Sequence, residues 1–134
     1  MNVTQLIETL NANKFMRSDE EVMSFDFTLS ELALHLNSEY LPALYLVFDD
    51  RCEQHEVMYG LIHFLESFEL KEQLQAFINS IDRMIVNAKE WAMILLYGIL
   101  NQDLARNLYS QMLHSTHSQN RDLCTQFAAR NSCE

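Results

Sequence analysis

The chain has 134 residues, a formal net charge of −10, 49% apolar residues, two glycines and one proline. That length supports one ordinary core, and the composition excludes a disordered tail or a low-complexity linker. Nine Lys and Arg scattered among nineteen acids argue against a phosphate-neutralising surface, hence against nucleic-acid binding.

Glycine and proline punctuate turns, so their scarcity favours helices. The first expected helix covers Asn2–Asn11. A capping box at Ser18–Glu21, in which hydroxyl and carboxylate each satisfy an orphan amide, opens a second. The same spacing at Thr28–Glu31 predicts another start, with a helix over Leu29–Asn37. Phe25 and Phe27 sit among acids in "SDEEVMSFDF", a pattern equally suited to core residues and to apolar anchors within a charged rim. "YLPALYLVF", Tyr40–Phe48, is short and apolar enough for a strand or a helix. Pro42 suits a first helical turn, where its missing amide costs nothing.

Glu53–Phe68 turns Val57, Leu61, Phe64, Leu65 and Phe68 to one side. The clearest periodicity follows, with Leu70, Leu74, Phe77, Ile78, Ile81, Met84 and Ile85 on one face and Lys71, Glu72, Gln75, Asn79 and Asp82 on the other. Asn87–Glu90 has capping-box spacing and places Trp91 near the start of a helix ending about Leu100. This run is apolar all round, which assigns it to the middle of a core. It is half the roughly 20 residues that cross a bilayer, so no membrane span is expected. Asn101 suits the left-handed conformation common after a helix. Gln102–His114, carrying Leu104, Leu108 and Met112, and Ser118–Ala129 complete the series. The expectation is an all-α fold, a single domain over residues 1–134, with six or seven short helices packed as antiparallel hairpins in a HEAT-like stack.

Candidate chemistry is thin. No glycine-rich phosphate loop, G-x-S-x-G turn, H-E-x-x-H or paired C-x-x-C is present. The densest donor set is Asp49, Asp50, Cys52, His55, Glu56, His63 and Glu66, the basis for a rival reading as a metal-dependent hydrolase. His55 and His63 are two turns apart, about 12 Å on one helix, too far to share an ion. Cys52–His55 has zinc-ligand spacing but lacks a second pair. "HSTH", His114–His117, falls at a helix end. Cys124 and Cys133 lack a base that would make either a nucleophile. Three cysteines match no disulfide framework, and the N-terminus lacks the pattern of a signal peptide. No catalytic, cofactor or metal residues are therefore assigned, and a reduced, cytoplasmic protein is expected.

Charge is unevenly placed. Residues 1–82 hold fifteen acids and four bases, a net of −11, whereas residues 83–134 carry +1. Such a field attracts basic surfaces and repels anionic ones.

Three blocks together resemble a known family: "LVFDDRCEQHEVMYGLIHFLESF", "NSIDRMIVNAKEWAMILLYGILN" and "LARNLYSQML". The matching features are Phe48-Asp49-Asp50, then Glu56, His63 and Glu66 on one helix, Trp91-Ala92, and the Leu100-Asn101 helix end. The chain is similar, over roughly residues 44–113, to the small helical immunity proteins of bacterial polymorphic-toxin systems, of contact-dependent growth inhibition type, and most closely to immunity protein family thirty. It departs from that pattern at Gly98, near which an arginine is expected. The resemblance implies binding to a cognate toxin C-terminal domain. Many toxins of these systems are nucleases with basic surfaces, which gives the acidic half a role in occlusion. Asp19, Glu20, Glu21, Asp26, Asp49, Asp50, Glu53 and Glu56 are the candidate contacts. His63, Glu66, Trp91 and Asn101 are assigned to the scaffold. The alternative is an acidic nucleic-acid mimic or helical adaptor for a different host protein.

Overall fold

A computed structural model describes residues 2–115 and 118–131. Among them are eight α-helices and no strand: α1 (Val3–Asn13), α2 (Asp19–Leu32), α3 (Leu41–Tyr45), α4 (His55–Leu65), α5 (Leu70–Asn87), α6 (Lys89–Leu100), α7 (Asp103–Ser115) and α8 (Ser118–Asn131), with a 3₁₀ turn at Ser38–Tyr40 before α3. His117 and Cys133 lie outside the described residues.

α1 begins with a reciprocal box that sequence reasoning did not single out. The Asn2 side chain accepts from the Gln5 N–H at 2.9 Å, and the Gln5 side chain accepts from the Asn2 N–H at 3.1 Å. α1 turns Leu6 and Leu10 inward against α2. At the corner between them Met16 adopts a left-handed φ of 53°, uncommon for a residue with a Cβ. Its side chain is fully buried, and that packing offsets the strain.

Ser18 caps α2 as expected, accepting from the Glu21 N–H. The Glu21 carboxylate turns instead to the N–H and guanidinium of Arg17. The expected start at Thr28 is not there: α2 runs through it and ends at Leu32. Thr28 is buried, and its hydroxyl donates to the Ser24 carbonyl one turn back at 2.7 Å, so it is occupied inside a helix and caps nothing. Residues 33–37 are consequently a connection rather than a helix. The ambiguous Tyr40–Phe48 resolves as the short helix α3, with Pro42 in its first turn, followed by a turn.

α5 is the hub. Leu74, Phe77, Ile78, Ile81 and Met84 are buried along it, and it packs against α3, α6, α7 and α8. Each such fully buried side chain contributes about 1.5–3 kcal/mol. Polar ties fix the neighbours: the Tyr45 hydroxyl of α3 donates to the Gln73 carbonyl at 3.1 Å, and the Asn120 amide of α8 donates to the Ile78 carbonyl at 3.1 Å. The adjacent helices α1 and α2 pack on one another, with α2 against α4, and α6 and α7 pack on one another beside α5.

The start of α6 also departs from expectation. Asn87 belongs to α5, and the junction residue Ala88 has no side chain that can cap. The cap comes from forty residues away. The Asp50 carboxylate accepts from the Glu90 N–H at 3.0 Å and the Trp91 N–H at 3.2 Å, while the Asp50 N–H donates to the Asn87 carbonyl at 2.9 Å. Asn101 ends α6 in the right-handed region (φ −85°), not the left-handed one, with its N–H donating to the Tyr97 carbonyl. In α7 the inward residues are Ala105, Tyr109 and Met112, and Leu104 is exposed.

Candidate functional site

The eight candidate acids divide into two groups. Asp49 is fully enclosed, with 0% exposure, where a surface contact was expected. Its carboxylate accepts from the Arg51 N–H at 2.9 Å and from the Arg51 guanidinium at 2.9 and 3.0 Å, with Lys14 Nζ 3.6 Å away. Burial works to raise the Asp49 pKa, but the Arg51 hydrogen bonds and the two cations outweigh it and hold the carboxyl below the usual range. Asp50 is half-buried and committed to the α6 cap. Neither is free to meet a partner. Sequence proximity to other acids hid this, because Lys14 and the α6 amides that these two carboxylates serve are distant in the chain, and the adjacent Arg51 gave no sign of its pairing with Asp49.

Glu21 is held by Arg17, whose side-chain and backbone hydrogen bonds lower its pKa. The remaining five, Asp19, Glu20, Asp26, Glu53 and Glu56, are exposed and make no ion pair among the described residues. Asp26 approaches α4 at Gly60, one turn from Glu56. The Glu53 N–H donates to the Phe15 carbonyl at 2.8 Å, which sets Glu53 at the corner leading into α2.

Compensating cations are gathered elsewhere. Lys14, Arg17 and Arg51, three of the four bases in residues 1–82, stand around the Phe15 ring at 4.9–5.6 Å. There they are consumed by Asp49 and Glu21. The outward side of α2 is left with its acids uncompensated.

That side also carries apolar groups. Phe25 is fully buried in the core, whereas Phe27 is 65% exposed and Met23 is 70% exposed. The sequence left both roles open for the two phenylalanines; the fold buries Phe25 and leaves Phe27 on the surface. Asp19, Met23, Asp26, Phe27 and Ser30 follow one another at three- and four-residue steps, so they share the outward face of α2. Leu34 and Leu36, also exposed, continue just beyond its end. Single exposed apolar residues need no explanation, but Met23 and Phe27 are one turn apart on the same helix face.

The metal reading finds no support in placement. Among the described residues no group of three His, Cys, Asp or Glu side chains is arranged to hold an ion. Cys52 is buried, His55 packs edge-on against Trp91 with ring centroids 5.4 Å apart, and His63 pairs with Glu66 at 3.3 Å. Burial pushes the thiols of Cys52 and Cys124 above their usual pKa, the wrong direction for a nucleophile.

Trp91 is buried and ringed by Phe48, His55 and Tyr59. His63 and Glu66 were assigned to the scaffold, yet their side chains are largely exposed at the lip of a groove of about 310 Å³. The groove lies between α4, α5 and α6 and is lined mainly by apolar side chains, among them Ile62, Phe77, Ile94 and Leu95. Gly98 of α6 opens onto it. Sequence reasoning missed it because the whole Trp91–Leu100 run was assigned to the core.

No helix among the described residues is long and apolar enough to cross a membrane. No curated protein and no solved structure matches the chain. A family model, described as Immunity protein 30, matches residues 12–109. This begins further upstream than the resemblance read from sequence and takes in the whole of α2. With most of its length covered, from the end of α1 into α7, the chain belongs to the Immunity protein 30 family.

Proposed function

We propose that this immunity protein neutralises a cognate toxin domain by docking the outward face of α2 onto a basic surface, in the manner expected for a nuclease whose substrate groove is cationic. The observation that carries the reading is the coincidence of uncompensated acids with exposed apolar anchors: Asp19, Glu20 and Asp26 around Met23 and Phe27. Protein interfaces draw most of their affinity from a few large side chains, while surrounding charge steers encounter and excludes wrong partners. The role is non-enzymatic, performed in the cytoplasm of the producing cell, and needs neither cofactor nor metal. Glu53 and Glu56 extend the same field toward α4.

The test is binding to the toxin domain encoded beside the gene. Asp19→Lys, Glu20→Lys and Asp26→Lys combined should weaken the complex by at least about 100-fold, chiefly through slower association, with the melting temperature little changed. Unaltered binding by that triple variant would falsify the proposed face. A host adaptor would instead leave the neighbouring toxin domain unbound.

A further inference from the structure

The run Trp91–Leu100 is apolar all round, yet only Trp91, Ala92 and Leu96 are fully buried. Its other apolar side, with Ile94, Leu95 and Ile99, lines the groove together with Tyr59 and Ile62 of α4 and Leu70 and Phe77 of α5. Gly98 lies on that side, and a Cβ built there meets nothing within 4 Å. Internal packing therefore supplies no reason for a glycine in this helix. What its missing side chain preserves is open space. The one carboxylate lining the groove, among the described residues, is that of Glu66, which meets the His63 ring at the lip. Apolar walls with a carboxylate at the mouth, on a chain of net charge −10, complement an apolar side chain carried next to a cation.

We infer that this groove is a socket for one large apolar side chain of the toxin domain, a leucine, methionine or phenylalanine, with a neighbouring lysine or arginine meeting Glu66. The inference rests on the toxin-binding reading and adds to the α2 face a second, separate point of contact. Tyr59, part of the groove lining, packs edge-on against Trp91 with ring centroids 5.3 Å apart. Trp91 is the chain's single tryptophan, so its fluorescence reports occupancy of the groove.

Calorimetric titration with the toxin domain encoded beside the gene decides the matter, using the full chain and two variants. Gly98→Phe, which fills the groove, should bind at least about 100-fold more weakly than the parent. Glu66→Lys should weaken binding about 10-fold, and Trp91 emission should shift when the parent complex forms. Melting curves establish that Gly98→Phe is folded; if it is not, Glu66→Lys and the emission shift decide alone. Parental affinity in Gly98→Phe and Glu66→Lys overturns the socket and leaves the α2 reading standing. Failure of the parent chain to bind overturns the toxin-binding reading and the socket with it.

Discussion

Asp49 and Asp50 are adjacent and chemically identical, and the fold gives them different tasks. Asp50 satisfies two orphan amides at the start of α6. Asp50→Ala should therefore cost roughly 1–2 kcal/mol in urea unfolding, the scale of a lost helix cap. Asp49 neutralises the half-buried Lys14 and holds Arg51. Its folded-state pKa is depressed, so its stabilising contribution is complete above its ordinary value of 3.8 and is lost as pH falls through the lower folded value. Unfolding midpoints measured downward from pH 5 should decline below about pH 4, and Asp49→Asn should flatten that decline. An unchanged acid limb in the variant would show that another carboxylate is responsible. Phe25 and Phe27 give the complementary contrast. Phe25→Ala empties a fully buried site and should cost about 3–5 kcal/mol. Phe27→Ala should alter stability by no more than about 0.5 kcal/mol while weakening toxin binding by a factor of about 30. Neither distinction was legible in the sequence. Residue type announces that a phenylalanine is apolar and an aspartate is charged, but the partner that decides its use arrives from another part of the chain.

At the scale of elements, local pattern served best where one periodicity dominated. α5 follows its apolar spacing from Leu70 onward, and Ser18 caps α2 where expected. Thr28 misled because a cap and a back-bonded threonine share a sequence signature, and continuation of the helix across Thr28 selects between them. The Asn87 start failed for a different reason, since the amides of α6 found a better acceptor in Asp50. α6 shows the limit of reading burial from hydrophobicity. The apolar run of α6 suggests an interior helix, yet four of its residues, Ile94, Leu95, Gly98 and Ile99, border an open groove. The glycine within it has a measurable consequence: Gly98→Ala should raise stability by up to about 1 kcal/mol, because the helix gains propensity and the added Cβ meets no neighbour. A destabilised Gly98→Ala protein would mean that the helix relies on close approach at that point.

Across the whole molecule, the sorting of charge matters more than its total. Acidic composition alone is a solubility property. Here most of the bases of the acidic half converge on Phe15, where Asp49 and Glu21 take them up, and Asp19, Glu20 and Asp26 on α2 make no ion pair among the described residues. The carboxylates left without a partner on α2 lie on the same helix as the exposed side chains of Met23 and Phe27. The sequence showed the excess and its position along the chain. It did not show which acids are spent internally, since that depends on contacts between α1, the loop before α4 and the start of α6. The most direct measurement is the association rate with the toxin domain encoded beside the gene, recorded by stopped flow at 50 mM and 500 mM salt. Steering by the α2 acids requires association to slow by at least about 10-fold over that range, with dissociation changing far less. Equal association rates at the two salt concentrations would contradict it.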